Sequence, residues 1–184
     1  MGGFVDGEAI AGDMSALIKT AFFPWAVESH EGFRNMRARD LPQVLAIEQA
    51  CYRYPWSEGI YRDCLHIRYC CRVFVQASEI CAYGIMSTGV GEAHILNLCV
   101  SPSFQCRGVG RAMLDHLLGI ASERMAYTCF LEVRPSNKVA IRLYKRAGFR
   151  KAGVRRGYYP AALGREDAVV MSIDLPVRGA GRGN

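Results

Sequence analysis

The sequence predicts an α/β domain, a mixed central β-sheet flanked by helices, and three observations carry that expectation. Segments with helical spacing of apolar residues interleave with short β-rich runs through the middle of the 184-residue chain. The second half alternates element types: helix, strand, helix, strands. With 51% hydrophobic and 22% charged residues the composition is ordinary for a globular protein. A chain of this size buries roughly 70% of its unfolded surface and needs no metal or disulfide staple.

Residues 1–32 mix Gly, Ala and acidic residues with one apolar cluster, Ala21-Phe22-Phe23-Pro24-Trp25, and are expected to be an N-terminal extension of unknown role. The domain proper is expected over residues 33–175, opening on a strand at Phe33-Arg34-Asn35-Met36. Asp40 with Gln43 three residues later makes a capping-box-like start, and Pro42 fits a first turn. Leu41, Val44, Leu45 and Cys51 then have helical spacing, which predicts a helix over residues 41–52. After the Tyr54-Pro55-Trp56-Ser57 break, Ser57 is placed to cap a short helix carrying Ile60, Tyr61, Cys64 and Leu65. β-rich runs follow at 72–76, 80–88 and 93–100. A helix over 108–125 puts Val109, Met113, Leu117 and Ala121 on one stripe, and 128–133 reads as a buried strand. Residues 137–147 are helical through Ala140, Leu143, Tyr144 and Ala147, with Gly148 as the terminating glycine. Runs at 149–154 and 168–175 complete the sheet, and the glycine-rich tail, 176–184, is expected to be flexible.

The formal charge of +6 is spread along the chain without a run of five basic residues. That fits an anionic ligand better than a dedicated nucleic-acid module, which concentrates its charge. The eight cysteines show no C-x-x-C pair and mostly stand in apolar surroundings, so they read as buried reduced thiols, with no metal site. Asp13, Lys19 and Pro24 interrupt the longest apolar stretch, and Asp6 and Glu8 stand where a secretory signal carries cations. No membrane span is expected, and a cytoplasmic location is.

Gln105-Cys106-Arg107-Gly108-Val109-Gly110-Arg111 follows a strand and opens the long helix. Glycines there allow close backbone approach, and the first helical N–H groups with the helix dipole attract phosphate oxygens. The run lacks the G-K-[ST] of a Walker loop and the first glycine of a dinucleotide fingerprint. A pyrophosphate loop and a plain strand-to-helix turn both fit it.

These residues resemble the GNAT superfamily of acetyl-CoA-dependent N-acetyltransferases, whose pyrophosphate loop has the form [Q/R]-x-x-G-x-[G/A]. Asn97-Leu98-Cys99-Val100-Ser101-Pro102 looks like the family's bulged strand, which pairs with the pantetheine arm. Leu131-Glu132-Val133-Arg134-Pro135-Ser136-Asn137, Ala140-Ile141-Arg142-Leu143-Tyr144 and Gly148-Phe149 match its second block. Within the superfamily, Pro55-Trp56-Ser57, Glu132-Val133-Arg134, Arg155-Arg156-Gly157-Tyr158-Tyr159-Pro160 and Gly164-Arg165-Glu166-Asp167-Ala168 look like the bacterial ribosomal-protein-alanine N-acetyltransferases. The resemblance covers residues 33–175 and implies the GNAT fold and acetyl-CoA as cosubstrate. The substrate it implies is the N-terminal alanine of small-subunit ribosomal protein eighteen.

The chemistry sorts the candidates. An α-amino group with a pKa near 8 is roughly one-tenth neutral at pH 7, so a proton acceptor helps it attack a thioester. By the resemblance Glu132 is that base, directly or through water; read from the residues alone, it equally pairs with a basic neighbour. The departing thiolate needs a proton, and the resemblance assigns it to Tyr144, which helical spacing alone reads as core. Leu98, Cys99, Val100, residues 105–111 and Asn137 are the expected acetyl-CoA contacts, with a backbone N–H near Cys99 as an oxyanion donor. Asn137 is also placed to be a helix cap. Arg107, Arg111 and Lys138 are candidates for holding the anionic cofactor or for plain surface solvation. Trp56, Tyr158 and Tyr159 are the candidate peptide slot or, equally, core packing. An acyl-cysteine route through Cys99 or Cys106 is disfavoured because no histidine lies nearby in sequence. Two rivals stay open: acetylation of a small amine or lysine, and a non-catalytic CoA-binding module.

Overall fold

The computed structural model describes residues 32–176. The expected extension and tail therefore lie, except for Gly32 and Pro176, outside the described residues. Strand β1 (Gly32–Asn35) leads through a short 3-10 turn to helix α1 (Leu41–Cys51) and helix α2 (Glu58–His66). Strands β2 (Cys70–Gln76), β3 (Glu79–Gly89) and β4 (Glu92–Val100) form a meander, followed by helix α3 (Val109–Glu123) and strand β5 (Thr128–Val133). Helix α4 (Lys138–Ala147) then precedes strands β6 (Arg150–Pro160) and β7 (Arg165–Asp174).

The sheet has seven strands in the order β1-β2-β3-β4-β5-β7-β6. Only β4 and β5 run parallel, because α3 carries the chain back between them. On one face α3 and α4 pack Met113, Leu114, Leu117, Ile120, Ala121 and Tyr144 against Met86, Ala93, Ile95, Cys129, Leu131 and Met171. On the other, α1 and α2 close a second core of Leu41, Val44, Ile47, Tyr61 and Cys64 over Val73, Val75, Tyr83, Ile85 and Cys99. The spacing of the buried positions in α3, recurring every three or four residues, is what seats it on the sheet. Gly84 on β3 lets it sit close, since a Cβ there would stand 2.7 Å from Leu117 Cδ1.

Several elements depart from the sequence expectation. Asp40 does not cap α1. Its carboxylate accepts from the Arg34 guanidinium at 2.6 and 2.9 Å and from the Arg37 N–H at 2.7 Å, while Gln43 Oε1 accepts the Ile80 N–H at 3.1 Å. An ion pair with β1 engages Asp40, and a long-range bond to Ile80 engages Gln43, so the expected box does not form. Ser57 precedes α2 without a side-chain cap bond. β6 runs on to Pro160 rather than ending at 154, and β7 starts at Arg165 rather than 168. A register jump between Arg155 and Tyr159 lets the ladder resume beyond it, and this extension is pinned by Gly157 N–H on Asp167 Oδ1 at 2.8 Å. Such an irregular, charged run has no period to read. No helix among the described residues is long and apolar enough to cross a membrane.

Candidate active site

Parallel pairing between β4 and β5 ends at Ile95 and Leu131, although both strands continue. The β3–β4 register meanwhile jumps from Asn97 opposite Ile85 to Ile95 opposite Met86, leaving Leu96 as a bulge. The strands therefore part, and the backbone of Leu98, Cys99 and Val100 has no ladder partner on the β5 side among the described residues. An extended chain carrying amides fits such an edge, because unpaired N–H and C=O groups seek partners.

At the open end, Gln105 Nε2 donates to the Val100 carbonyl at 3.1 Å and ties the loop to the strand. Cys106 is exposed with φ +59, and Gly108 caps α3 with φ +82, a left-handed conformation that favours glycine. The first helical bond is Ala112 N–H to the Gly108 carbonyl. The N–H groups of Val109, Gly110 and Arg111 therefore have no intrahelical acceptor, and α3 has no side-chain cap. That donor set at a helix N-terminus fits a pyrophosphate. Gly110 sits where a Cβ would lie 3.4 Å from Val100 and 3.6 Å from Leu143, so the loop is folded tightly onto both. Of the candidate cations, Arg107 lies over the Phe104 ring, and Arg111 turns along its helix to Asp115 at 2.8 Å and to the Arg146 carbonyl at 3.2 Å. Lys138 lines a groove of about 450 Å³ with Ile141, Arg142, Lys145 and Lys151, on the side of α4 facing β6 and β7. Asn137 is a true cap: its Oδ1 accepts the Ala140 N–H at 3.0 Å, leaving its amide donors for a ligand.

Glu132 acts electrostatically on Tyr159, and Tyr144 feels the charge of Tyr159. Burial pushes the Tyr159 phenol up to about 12, with neighbouring Tyr158 and Glu132 adding to it. Tyr144 is buried, takes no hydrogen-bond partner among the described residues, and is raised by burial first and then by Tyr159 and Cys99. The upward shift keeps the phenol protonated at neutral pH. Glu132, its side chain 16% exposed, lies 3.3 Å from Arg155 Nε, whose side chain is 57% exposed. The basic neighbour that the sequence left open is therefore present. An exposed pair of this kind is weak, so an incoming ammonium competes for the carboxylate. Burial raises the Cys99 thiol, which argues against a thiolate nucleophile there.

The substrate side contains a residue that sequence reasoning missed. Arg134 lies over the rings of Tyr159 at 4.3 Å and Tyr54 at 5.7 Å, and donates to Glu166 at 3.1 Å and the Pro160 carbonyl at 2.9 Å. Glu166 also accepts the Ser136 N–H at 2.9 Å. Tyr158 and Tyr159 stand edge to face at 4.9 Å. Trp56, the third candidate, packs its indole on Tyr61 at 5.6 Å, and Tyr54 shares the Arg134 guanidinium with Tyr159. An exposed tyrosine beside a proline gives no signal of this role; only the distant Arg134 does. Tyr52, also missed, donates its hydroxyl to the Leu98 carbonyl at 3.1 Å.

A parted parallel strand pair with a bare helix N-terminus at its open end is a cleft fitted to an extended, phosphate-bearing ligand, and the chain belongs to the acetyltransferase (GNAT) family, whose model matches residues 41–149. It is 38% identical over 141 residues, 77% of this chain and 95% of the other, to the [ribosomal protein bS18]-alanine N-acetyltransferase of Escherichia coli K12. The Salmonella typhimurium LT2 protein of the same name is 40% identical over 136 residues, 74% of this chain and 92% of that one. The crystal structure of the Escherichia coli ribosomal-protein-S18-alanine N-acetyltransferase superposes with a TM-score of 0.75 at 36% identity, covering 83% of this chain and 98% of that one.

Proposed function

We propose that this chain is a cytoplasmic enzyme that transfers the acetyl group of acetyl-CoA to a protein N-terminal amine, that of the alanine opening small-subunit ribosomal protein eighteen. The observation that carries the reading is the parted β4–β5 edge, with Glu132 directly after the last paired residue of β5 and the 105–111 loop at its open end, in a chain similar over most of its length to enzymes named for that substrate. Residues 105–111 would hold the pyrophosphate, and Leu98, Cys99 and Val100 the pantetheine arm. Tyr54, Tyr158, Tyr159 and Arg134 would line the peptide side.

Glu132 takes a proton from the ammonium, directly or through water, freeing the nitrogen lone pair. The amine nitrogen then bonds to the thioester carbon, a backbone N–H near Cys99 supports the developing oxyanion, and the C–S bond breaks. Tyr144 gives its proton to the leaving sulfur as the nitrogen sheds its second proton, which restores the phenol, and Glu132 returns the first proton to solvent, so that CoA thiol and the acetylated amine are left. Both substrates are present together, and no acyl-enzyme forms.

The test follows CoA release from acetyl-CoA with a short Ala-starting peptide of the ribosomal protein and with its N-blocked, lysine-containing version. Turnover with the free peptide alone is expected. Turnover with the blocked peptide would move the reaction to a side-chain amine, and silence with both would leave a binding module.

A further inference from the structure

We infer that Glu48 is a positioning residue that ties the loop on the peptide side to the strand on the cofactor side. Its side chain is 1% exposed, and among the described residues no basic group pairs with it. Burying a carboxyl group is costly unless hydrogen bonds satisfy it. Here they do, and they divide by direction. Oε1 accepts the backbone N–H of Trp56 at 2.9 Å, in the loop between α1 and α2. Oε2 accepts the Tyr83 hydroxyl in a short bond and the Asn97 amide at 3.4 Å. Tyr61 closes the cluster, donating to Tyr83 at 2.9 Å and accepting from Asn97 at 3.4 Å.

Asn97 directly follows the Leu96 bulge, where β4 parts from β5. Glu48 is not alone in reaching this segment: Cys51 and Tyr52, three and four residues further along α1, donate to the carbonyls of Val100 at 3.4 Å and Leu98 at 3.1 Å. One face of α1 thus grips three of the four residues from 97 to 100. Mere core filling does not require this chemistry, since apolar side chains of similar volume often serve a buried site as well or better. A fully satisfied polar network instead specifies one arrangement. What it specifies here is the course of the strand edge expected to pair with the pantetheine arm.

The inference rests on acetyl-CoA lying along β4, and the experiment separates the two. In Glu48→Gln the carbonyl oxygen keeps the Trp56 bond, while the amide places a donor against the Tyr83 and Asn97 donors. Loss of the strand half alone is expected to raise the acetyl-CoA KM about tenfold, the effect of one or two lost hydrogen bonds, and to leave the peptide KM within about twofold. Asn97→Ala removes the same half without touching Glu48 and is expected to act alike, so a Glu48→Gln protein that fails to fold does not end the test. The reversed pair Glu48→Gln with Asn97→Asp restores a donor–acceptor match and should recover most of the loss. Variants that melt lower while both KM values stay at the wild-type level would make Glu48 purely structural and overturn the inference. Equal rises in both KM values would overturn it too. Wild-type protein that binds acetyl-CoA without turning it over would bring down the acetyl-transfer reading alone, and the acetyl-CoA Kd of the same variants, expected to rise about tenfold, would then decide this one.

Discussion

The two walls of the cleft are built in different ways. The wall proposed for the cofactor, residues 95–111, is one continuous stretch of chain built largely from backbone: a strand edge without a ladder partner on the β5 side, a left-handed glycine and a bare helix N-terminus. The substrate wall is assembled from side chains far apart in sequence, with Arg134 stacked on Tyr159 and near Tyr54 and bonded to Glu166. A wall of backbone suits a ligand common to a whole family, because it tolerates side-chain change. A wall of side chains is where a choice among peptides can be made.

The largest expected effects lie where the walls meet. Tyr144→Phe removes a hydroxyl that bonds to no group among the described residues, so stability should hold while kcat falls, on the order of a hundredfold or more for a positioned acid. Glu132→Gln should act similarly on kcat. Rates within about twofold of wild type for both, in steady-state assays, would remove them from the chemistry.

Next comes the cofactor wall. Gly108→Val forces a β-branched residue to φ +82, a strain of roughly 1–3 kcal/mol that the loop relieves by moving. A Cβ there meets nothing within 4 Å, so the penalty is backbone conformation and not crowding. The acetyl-CoA KM should rise tenfold or more by the same conversion of strain into affinity, with the peptide KM little changed. An unaltered acetyl-CoA KM would show that the helix N-terminus does not depend on that turn.

For the substrate wall the pattern should invert. Arg134→Lys keeps the charge but loses the planar fork that lies over Tyr159 and reaches both Glu166 and Pro160. A fall in kcat/KM for peptide of roughly tenfold is expected, corresponding to about 1–2 kcal/mol of lost hydrogen bonding and stacking, with acetyl-CoA affinity retained. Titration calorimetry of acetyl-CoA beside peptide kinetics distinguishes the two ligands. If acetyl-CoA binding weakens as much as peptide turnover, the walls are not independent.

Local and long-range construction also differ in how far the amino-acid sequence reveals them. The strand at 128–133 and the helices around residues 109–123 and 138–147 are legible because their burial period is local, and Gly108 and Gly148 stand where turn chemistry demands them. The strand-to-helix turn at 105–111 is legible for the same reason. The resemblance leaves Trp56 open between the peptide slot and core packing, and the structure adds its contact with Tyr61; Tyr54 is hidden because its partner lies at Arg134. Glu48 is hidden too, since a glutamate within an amphipathic helix reads as solvated until Tyr83 and Asn97 arrive from two strands. β6 outruns its expected end because Gly157 and the charges around it mask a strand held by bonds to Asp167 and Arg165.

A site outside both walls calibrates the comparison, and its effect should be the smallest on activity. Asp40 is 5% exposed at the start of α1. Burial alone would raise its pKa, but the Arg34 hydrogen bonds, the Arg37 N–H and the Arg34 charge outweigh it and hold the carboxyl below its ordinary range. A group depressed in the folded state contributes stability that is complete above its unfolded pKa, near 4, and is lost as the pH falls through the folded value. Asp40→Asn should therefore cost about 2 kcal/mol in urea unfolding at pH 7, because it leaves Arg34 without its anion. The gap between variant and wild type should narrow steadily below about pH 4, where the carboxyl of the unfolded chain takes up its proton while the folded one stays ionised, and the narrowing should end once the pH passes the folded value. At neutral pH both KM values should stay at the wild-type level, since neither wall touches the pair. A gap independent of pH would mean the loss is one of packing and not of charge; a shift in the peptide KM would mean that α1 transmits strain from its first turn to the loop that Glu48 holds at its last.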